Sequence, residues 1–130
     1  DADGRSILPL LRDPQSRAIS YTRPLVFHYP HQWTGSPSGG YQSHSAIRSG
    51  AWKAIYYYET SSWELYNLHD DIYEANDLAM IHPGRLSDLA GILKAQLDRR
   101  GAVFPFNHVE NTTQEMVLPG AAPKQSAGNQ

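Results

Sequence analysis

Apolar and polar positions alternate with a period of two along much of residues 24–68, and the period lengthens to three and four only after Pro83. Over residues 24–29, Leu25, Phe27 and Tyr29 fall on one side and Val26 and His28 on the other, which predicts a strand stopped by Pro30. A hairpin follows, with strands over residues 45–48 and 52–59 around Ser49-Gly50, where glycine gives access to positive φ. Ile47, Trp52, Ala54, Tyr56 and Tyr58 then share one sheet face. The polar turn Thr60-Ser61-Ser62 leads into a further strand over residues 63–68, and such short connections predict an antiparallel meander.

Beyond the sheet, Leu86, Leu89, Ala90, Leu93 and Leu97 recur at helical spacing, with Pro83 at the start and Gly101 beyond Arg99 and Arg100 as a C-terminal cap. At the other end, Asp3, Gly4, Arg5 and Ser6 precede Ile7, Leu8, Leu10 and Leu11, the pattern of a capped short helix that packs as a lid. Residues 33–44 are too rich in Gly, Ser and Pro for regular structure and form a long loop with two exposed aromatics. Asp70, Asp71, Glu74 and Asp77 mark a bend with a helical turn or two before the main helix. The expected fold class is α+β, a small antiparallel sheet of about four strands with a C-terminal helix packed on one face. Residues 1–110 form this unit, and residues 111–130, poor in core formers, are expected to be an extended or disordered tail.

Composition narrows the functional classes. With 130 residues and 40% hydrophobic content the chain has material for one core. A formal net charge of -2 without a basic stripe argues against a nucleic-acid partner. The absence of cysteine excludes disulfides, thiolate zinc sites and thiol nucleophiles together. No stretch approaches the roughly 20 apolar residues that span a bilayer, so no membrane partner is expected, and any signal peptide lies outside this sequence.

Candidate chemistry is sparse. His28, His31 and His44 flank the long loop, but His28 and His31 are three apart and face opposite sides of a straight strand, so no shared metal is expected. Their alternatives are structural hydrogen bonding, solvent exposure, or imidazoles turned toward an anionic substrate. Arg48 and Lys53 stand nearly opposite across the hairpin turn, placed either to bind an anionic group or to blunt an exposed edge. Tyr56, Tyr57, Tyr58, Trp52 and Trp63 offer flat amphipathic surface suited to a sugar ring, although core packing has the same composition. The acidic set lacks the ligand spacing of a calcium loop, and turn and helix capping account for it more simply. No nucleophile elbow, phosphate loop or His-Glu helix motif occurs, so no catalytic residue is assigned.

Read together, DGRSILPLL, PLVFHYPH, SAIRSGAWKAIYYYE, WELYNLHDDIYEANDLA and a closing helix followed by GAVFPFN span most of residues 3–107. In that order they resemble the C-terminal subdomain of the type I sulfatases, the arylsulfatase-like members of the alkaline-phosphatase superfamily. The resemblance implies a four-stranded antiparallel sheet and C-terminal helix docked against a large α/β catalytic domain. In that domain a Cys or Ser within Cys/Ser-x-Pro-x-Arg becomes formylglycine, and calcium completes the sulfate site; this sequence contains neither the motif nor the ligand set. The resemblance therefore implies a part of a sulfatase, inactive alone, that closes one side of the substrate cleft and helps to recognise a sulfated substrate, a sugar among the candidates. His28, His31, His44, Arg48 and Lys53 are the candidates for facing it. Partners implied are the catalytic domain, the sulfated substrate and, through an uncovered sheet face, a second copy, in a parent enzyme that is periplasmic or secreted. Ala51 and Ala54 depart from the family pattern, where an Asp or Asn and a larger apolar residue are common. A reading from another class is a free-standing carbohydrate- or protein-binding module built on the Tyr and Trp surface.

Overall fold

The computed structural model describes residues 6–15, 23–31 and 42–121. Among them an antiparallel four-stranded sheet runs in sequence order, with β1 at Leu25–Tyr29, β2 at His44–Ser49, β3 at Trp52–Tyr57 and β4 at Ser62–Asn67. A short helix, α1, occupies Leu8–Arg12, and the main helix, α2, occupies Pro83–Arg99. Phe106–Asn107 (β5) and Thr112–Thr113 (β6) pair as a second, two-stranded sheet. The α+β class read from periodicity is the class observed.

Register follows from the turns. Ser49 pairs with Trp52, so Gly50-Ala51 is a two-residue loop, and Gly50 adopts φ +60°, a conformation that costs glycine nothing. Because side chains alternate, the pairing sorts the sheet into rows. On one face lie Val26, Ile47, Ala54 and Leu65, with His28, Ser45, Tyr56 and Trp63 beside them. Leu86, Leu89, Leu93 and Leu97 of α2 cover this inner face, and Ile47, Ala54, Tyr56, Leu65 and Leu93 lose all solvent contact. Each such leucine contributes about 1.5–3 kcal/mol of burial.

Helix α2 ends where the sequence places its cap. Gly101 has φ +61°, its N–H donates to the Asp98 carbonyl at 3.1 Å, and the Ala102 N–H reaches back to the Leu97 carbonyl at 3.0 Å. That pair of bonds is the Schellman arrangement, which satisfies two carbonyls the helix leaves open.

Three expectations change. Helix α1 buries none of its residues, so it does not sit as a lid over the core; Ser6 Oγ accepts from the Leu8 N–H at 3.2 Å, but the N-cap position is Ile7 and carries no side-chain cap, while Asp3, Gly4 and Arg5 lie outside the described residues. The acidic bend forms hydrogen-bonded turns and no α-helix, because its carboxylates capture nearby backbone N–H groups. Asp77 Oδ1 accepts from the N–H groups of Leu65 and Ala79, both at 2.9 Å. Finally, the position 110 boundary falls inside the β5–β6 hairpin, and Met116 beyond it is buried in the main core. The Trp63 indole donates to the Val117 carbonyl at 2.8 Å and the Val117 N–H donates to the Tyr56 hydroxyl at 3.2 Å, strapping this segment across the end of the sheet.

Candidate functional site

No described element covers the opposite, outer face of the sheet with a helix. Its first row reads Leu25, Arg48, Lys53, Tyr66; the second Phe27, Ala46, Ile55, Glu64; the third Tyr29, His44, Tyr57, Ser62. Ala46, Ile55 and Tyr66 are buried among their neighbours, whereas Leu25 and Phe27 on the edge strand are 52% and 55% exposed. Three of the five sequence-predicted residues, His44, Arg48 and Lys53, therefore belong to this open face, and His28 does not.

His28 turns inward. Its Nε2 lies 2.9 Å from the Val103 carbonyl and its Nδ1 2.7 Å from Ser45 Oγ, which in turn lies 2.7 Å from the Tyr58 hydroxyl. The Val103 carbonyl only accepts, so a neutral imidazole donates from Nε2 and takes the Ser45 proton at Nδ1; Ser45 then accepts from Tyr58. The ring also packs edge-on against Tyr58 and Phe104. Burial pushes the Tyr58 hydroxyl up to about 12, with the Ser45 hydrogen bond working against the shift and Tyr56 adding to it. His28 holds β1 to the chain after α2.

Arg48 and Lys53 do pair across the hairpin, as the turn requires. Lys53, however, is claimed by the acidic bend: its Nζ lies 2.6 and 2.8 Å from the two carboxylate oxygens of Glu74. Glu74 itself adopts φ +56°, a conformation that side chains other than glycine rarely take, held by this ion pair. The Arg48 Nε–H donates to the Gly50 carbonyl at 3.3 Å.

The third row brings the remaining candidates together. His31, exposed beyond Pro30, sits edge-on to Tyr29 with ring centroids 6.1 Å apart; Tyr29 lies 5.7 Å from His44, and His44 6.2 Å from Tyr57. The result is a continuous run of four rings from three strands, at the end of the sheet where the chain enters and leaves residues 32–41. His44 Nδ1 donates to the Gln42 carbonyl at 2.8 Å, which leaves Nε2 as the outward nitrogen. Tyr57 donates to Glu64 Oε2 at 3.1 Å, and Tyr66 donates to the same oxygen at 3.0 Å. Burial first, then the Glu64 charge and hydrogen bond, push the Tyr57 hydroxyl up to about 12, and the same causes raise Tyr66 further. Two imidazoles, two phenols and one carboxylate form an amphipathic strip of mutually tilted rings that suits stacking and hydrogen bonding to a hydroxylated ligand. Sequence reading offers Tyr57 among the aromatics suited to a sugar ring but misses Tyr29 and Glu64; alternation places Tyr29 and Phe27 together, and only the register brings His44 and Tyr57 beside Tyr29. Trp33 and Tyr41 lie outside the described residues.

The acidic residues are engaged locally. Hydrogen bonds from the backbone N–H groups of Ala75 and Asn76, the latter to Asp71 Oδ2 at 2.8 Å, hold the Asp71 carboxyl below the usual range; Asp70 bonds Asn67 and His69. Among the described residues no group of three or more His, Asp or Glu is gathered as a metal site.

No protein-family model matches the chain. Among solved structures it is similar to BT4656, determined in complex with its substrate D-glucosamine-2-N,6-O-disulfate, with a TM-score of 0.57 and 19% identity over 75% of this chain. A second similar structure comes from work on glycosaminoglycan metabolism by Bacteroides thetaiotaomicron, with a TM-score of 0.48 and 14% identity over 76% of this chain. This chain spans about a fifth of the length of each, 20% and 22%. The four-stranded sheet with its closing helix thus shares its fold with a part of BT4656, consistent with the resemblance carried by the sequence.

Proposed function

We propose that this chain is the C-terminal subdomain of a sulfatase that hydrolyses sulfate esters, with the reaction carried out by a catalytic domain of the same polypeptide. That domain supplies formylglycine and calcium; this one closes a side of the substrate cleft. The edge of the outer face that carries exposed Leu25 and Phe27 docks against it. Docking there leaves the third row at the rim of the cleft, where His31, Tyr29, His44 and Tyr57 meet the sulfated sugar. The observation that carries this reading is that ring row, placed on the open sheet face of a sulfatase-type fold. The parent enzyme is periplasmic or secreted.

Two measurements test it. The encoded sequence upstream of Asp1 is expected to contain Cys or Ser in an x-Pro-x-Arg context; an unrelated domain there refutes the assignment. Titration of the labelled chain with glucosamine 6-sulfate is expected to shift the amides of Tyr29, His31 and His44, with no hydrolysis of an aryl sulfate by the chain alone. The same aromatic strip favours one other reading, a carbohydrate-binding module, which is the outcome if sugar binds but no sulfatase motif precedes the chain.

A further inference from the structure

We infer that Glu64 gives the ring row a polarity: its end of the strip takes the uncharged or cationic donors of a sugar and excludes sulfate, which is left to the His31 and His44 end. The inference rests on the sugar-facing reading of the row and adds to it the part of the ligand that each end selects.

The argument starts from charge balance. Glu64 Oε2 accepts from the hydroxyls of Tyr57 and Tyr66, both neutral, and among the described residues no hydrogen bond engages Oε1. Lys53 stands diagonally across on the same face, but Glu74 holds its ammonium with both carboxylate oxygens. None of the ion pairs Lys53–Glu74, His69–Asp70 and Lys94–Asp98 engages Glu64, and its side chain is half-buried rather than fully bathed in water. Both phenol protons point at Glu64, so the outward lone pairs of Tyr57 can only accept. Apart from the hydroxyls of Ser62 and Thr60, which bond each other at 2.6 Å, this end presents acceptors: Glu64 Oε1 and the Tyr57 oxygen. A sulfate, also acceptor-only and negative, finds at most a neutral hydroxyl donor there and meets a like charge. Hydroxyl and ammonium groups find acceptors.

The other end is built differently. His44 spends its Nδ1–H on the Gln42 carbonyl, so its Nε2 donates to an anion only in the imidazolium form, whereas His31 is exposed and its ring N–H can turn toward an anion in either form. A sugar lying along the row with sulfate toward His31 and a free amine or hydroxyl toward Glu64 satisfies both ends. A sugar sulfated at both positions cannot.

Isothermal titration of the full 130-residue chain with glucosamine 6-sulfate and with its N,6-O-disulfated counterpart tests this. The monosulfated sugar is expected to bind roughly tenfold more tightly, and Glu64→Gln, which keeps an oxygen for both phenols, is expected to reduce that ratio below about threefold. Raising the salt to about 0.5 M should compress the ratio in the unaltered chain as well, since the discrimination is electrostatic. Tyr29→Ala is expected to weaken both sugars together. Equal affinity for the two sugars in the unaltered chain, with Tyr29→Ala still weakening both, overturns the role of Glu64 and leaves the row as the sugar site. No binding of either sugar, with no amide shifts at Tyr29, His31 or His44, removes the row reading and the inference with it.

Discussion

Ser45→Ala is the sharpest probe of how the sheet is tied to the chain beyond the helix. Ser45 is fully buried and its Oγ is the middle member of the Tyr58, Ser45, His28 chain, with 2.7 Å on either side. Alanine removes that oxygen and leaves two polar atoms without their partner, the Tyr58 hydroxyl, on a residue only 2% exposed, and His28 Nδ1. Each orphaned buried group costs about 1–3 kcal/mol. His28 keeps its bond to Val103 and lies nearer the surface, so Tyr58 carries the larger share, and a total near 3 kcal/mol is expected. For a chain of this size that corresponds to a drop in Tm on the order of 10 °C. Urea unfolding followed by near-ultraviolet circular dichroism measures it. The same experiment on Tyr58→Phe and on Ser45→Ala with Tyr58→Phe completes a cycle, because removing both hydroxyls leaves only His28 unpaired. The double variant is expected to be more stable than additivity predicts by about 1 kcal/mol or more. A Ser45→Ala cost below about 0.5 kcal/mol, or strict additivity, refutes the directed chain of hydrogen bonds.

Alkaline pH should unfold the protein early: Tyr57 and Tyr58 hold their protons to about 12 when folded against 10 in the open chain, so the stability they confer is complete below pH 10 and is lost as pH rises toward 12. Tyr58→Phe should flatten that decline in a melting series between pH 9 and 12, and an unchanged slope would count against it. Truncation after residue 110 removes Met116 and both Val117 bonds, and is expected to cost about 3 kcal/mol in denaturant melts, although the strands of the main sheet remain. Glu74→Ala and Glu74→Gly both break the Lys53 pair, but glycine relieves the positive φ, so the alanine variant should be less stable by about 1 kcal/mol. Equal stability of the two would show that the backbone there is not strained.

Much of the architecture was legible in residue order, for identifiable reasons. Period-two alternation from Leu25 to Leu65 and the leucine spacing of α2 are strong signals because each element buries a single face. The opposition of Arg48 and Lys53 followed from a two-residue turn, which leaves no freedom of register. Other features depended on contacts far apart in sequence. The Lys53 to Glu74 pair joins residues 21 apart, and nothing local to Lys53 announces it. The ring row needs β1 to pair with β2 across residues 32–41, so the approach of Tyr29 to His44 had no local signature. His28 was readable as sharing the Val26 side of its strand, yet its bond to Val103 was not. Met116 escaped notice because one apolar residue in a polar segment has no period.

The Val103 bond also has a temporal meaning. His28 and the carbonyl it engages are 75 residues apart, and Trp63 waits a further 54 residues for the Val117 carbonyl. Contacts of such span form late, since the loop between their ends must be closed before they return any energy. During synthesis the first strand must therefore leave the ribosome well before its imidazole finds the Val103 carbonyl, and the Tyr56 and Trp63 polar groups stay without Val117 until that residue emerges. A chaperone that shields exposed tyrosine and tryptophan would find its longest opportunity on this protein in that interval.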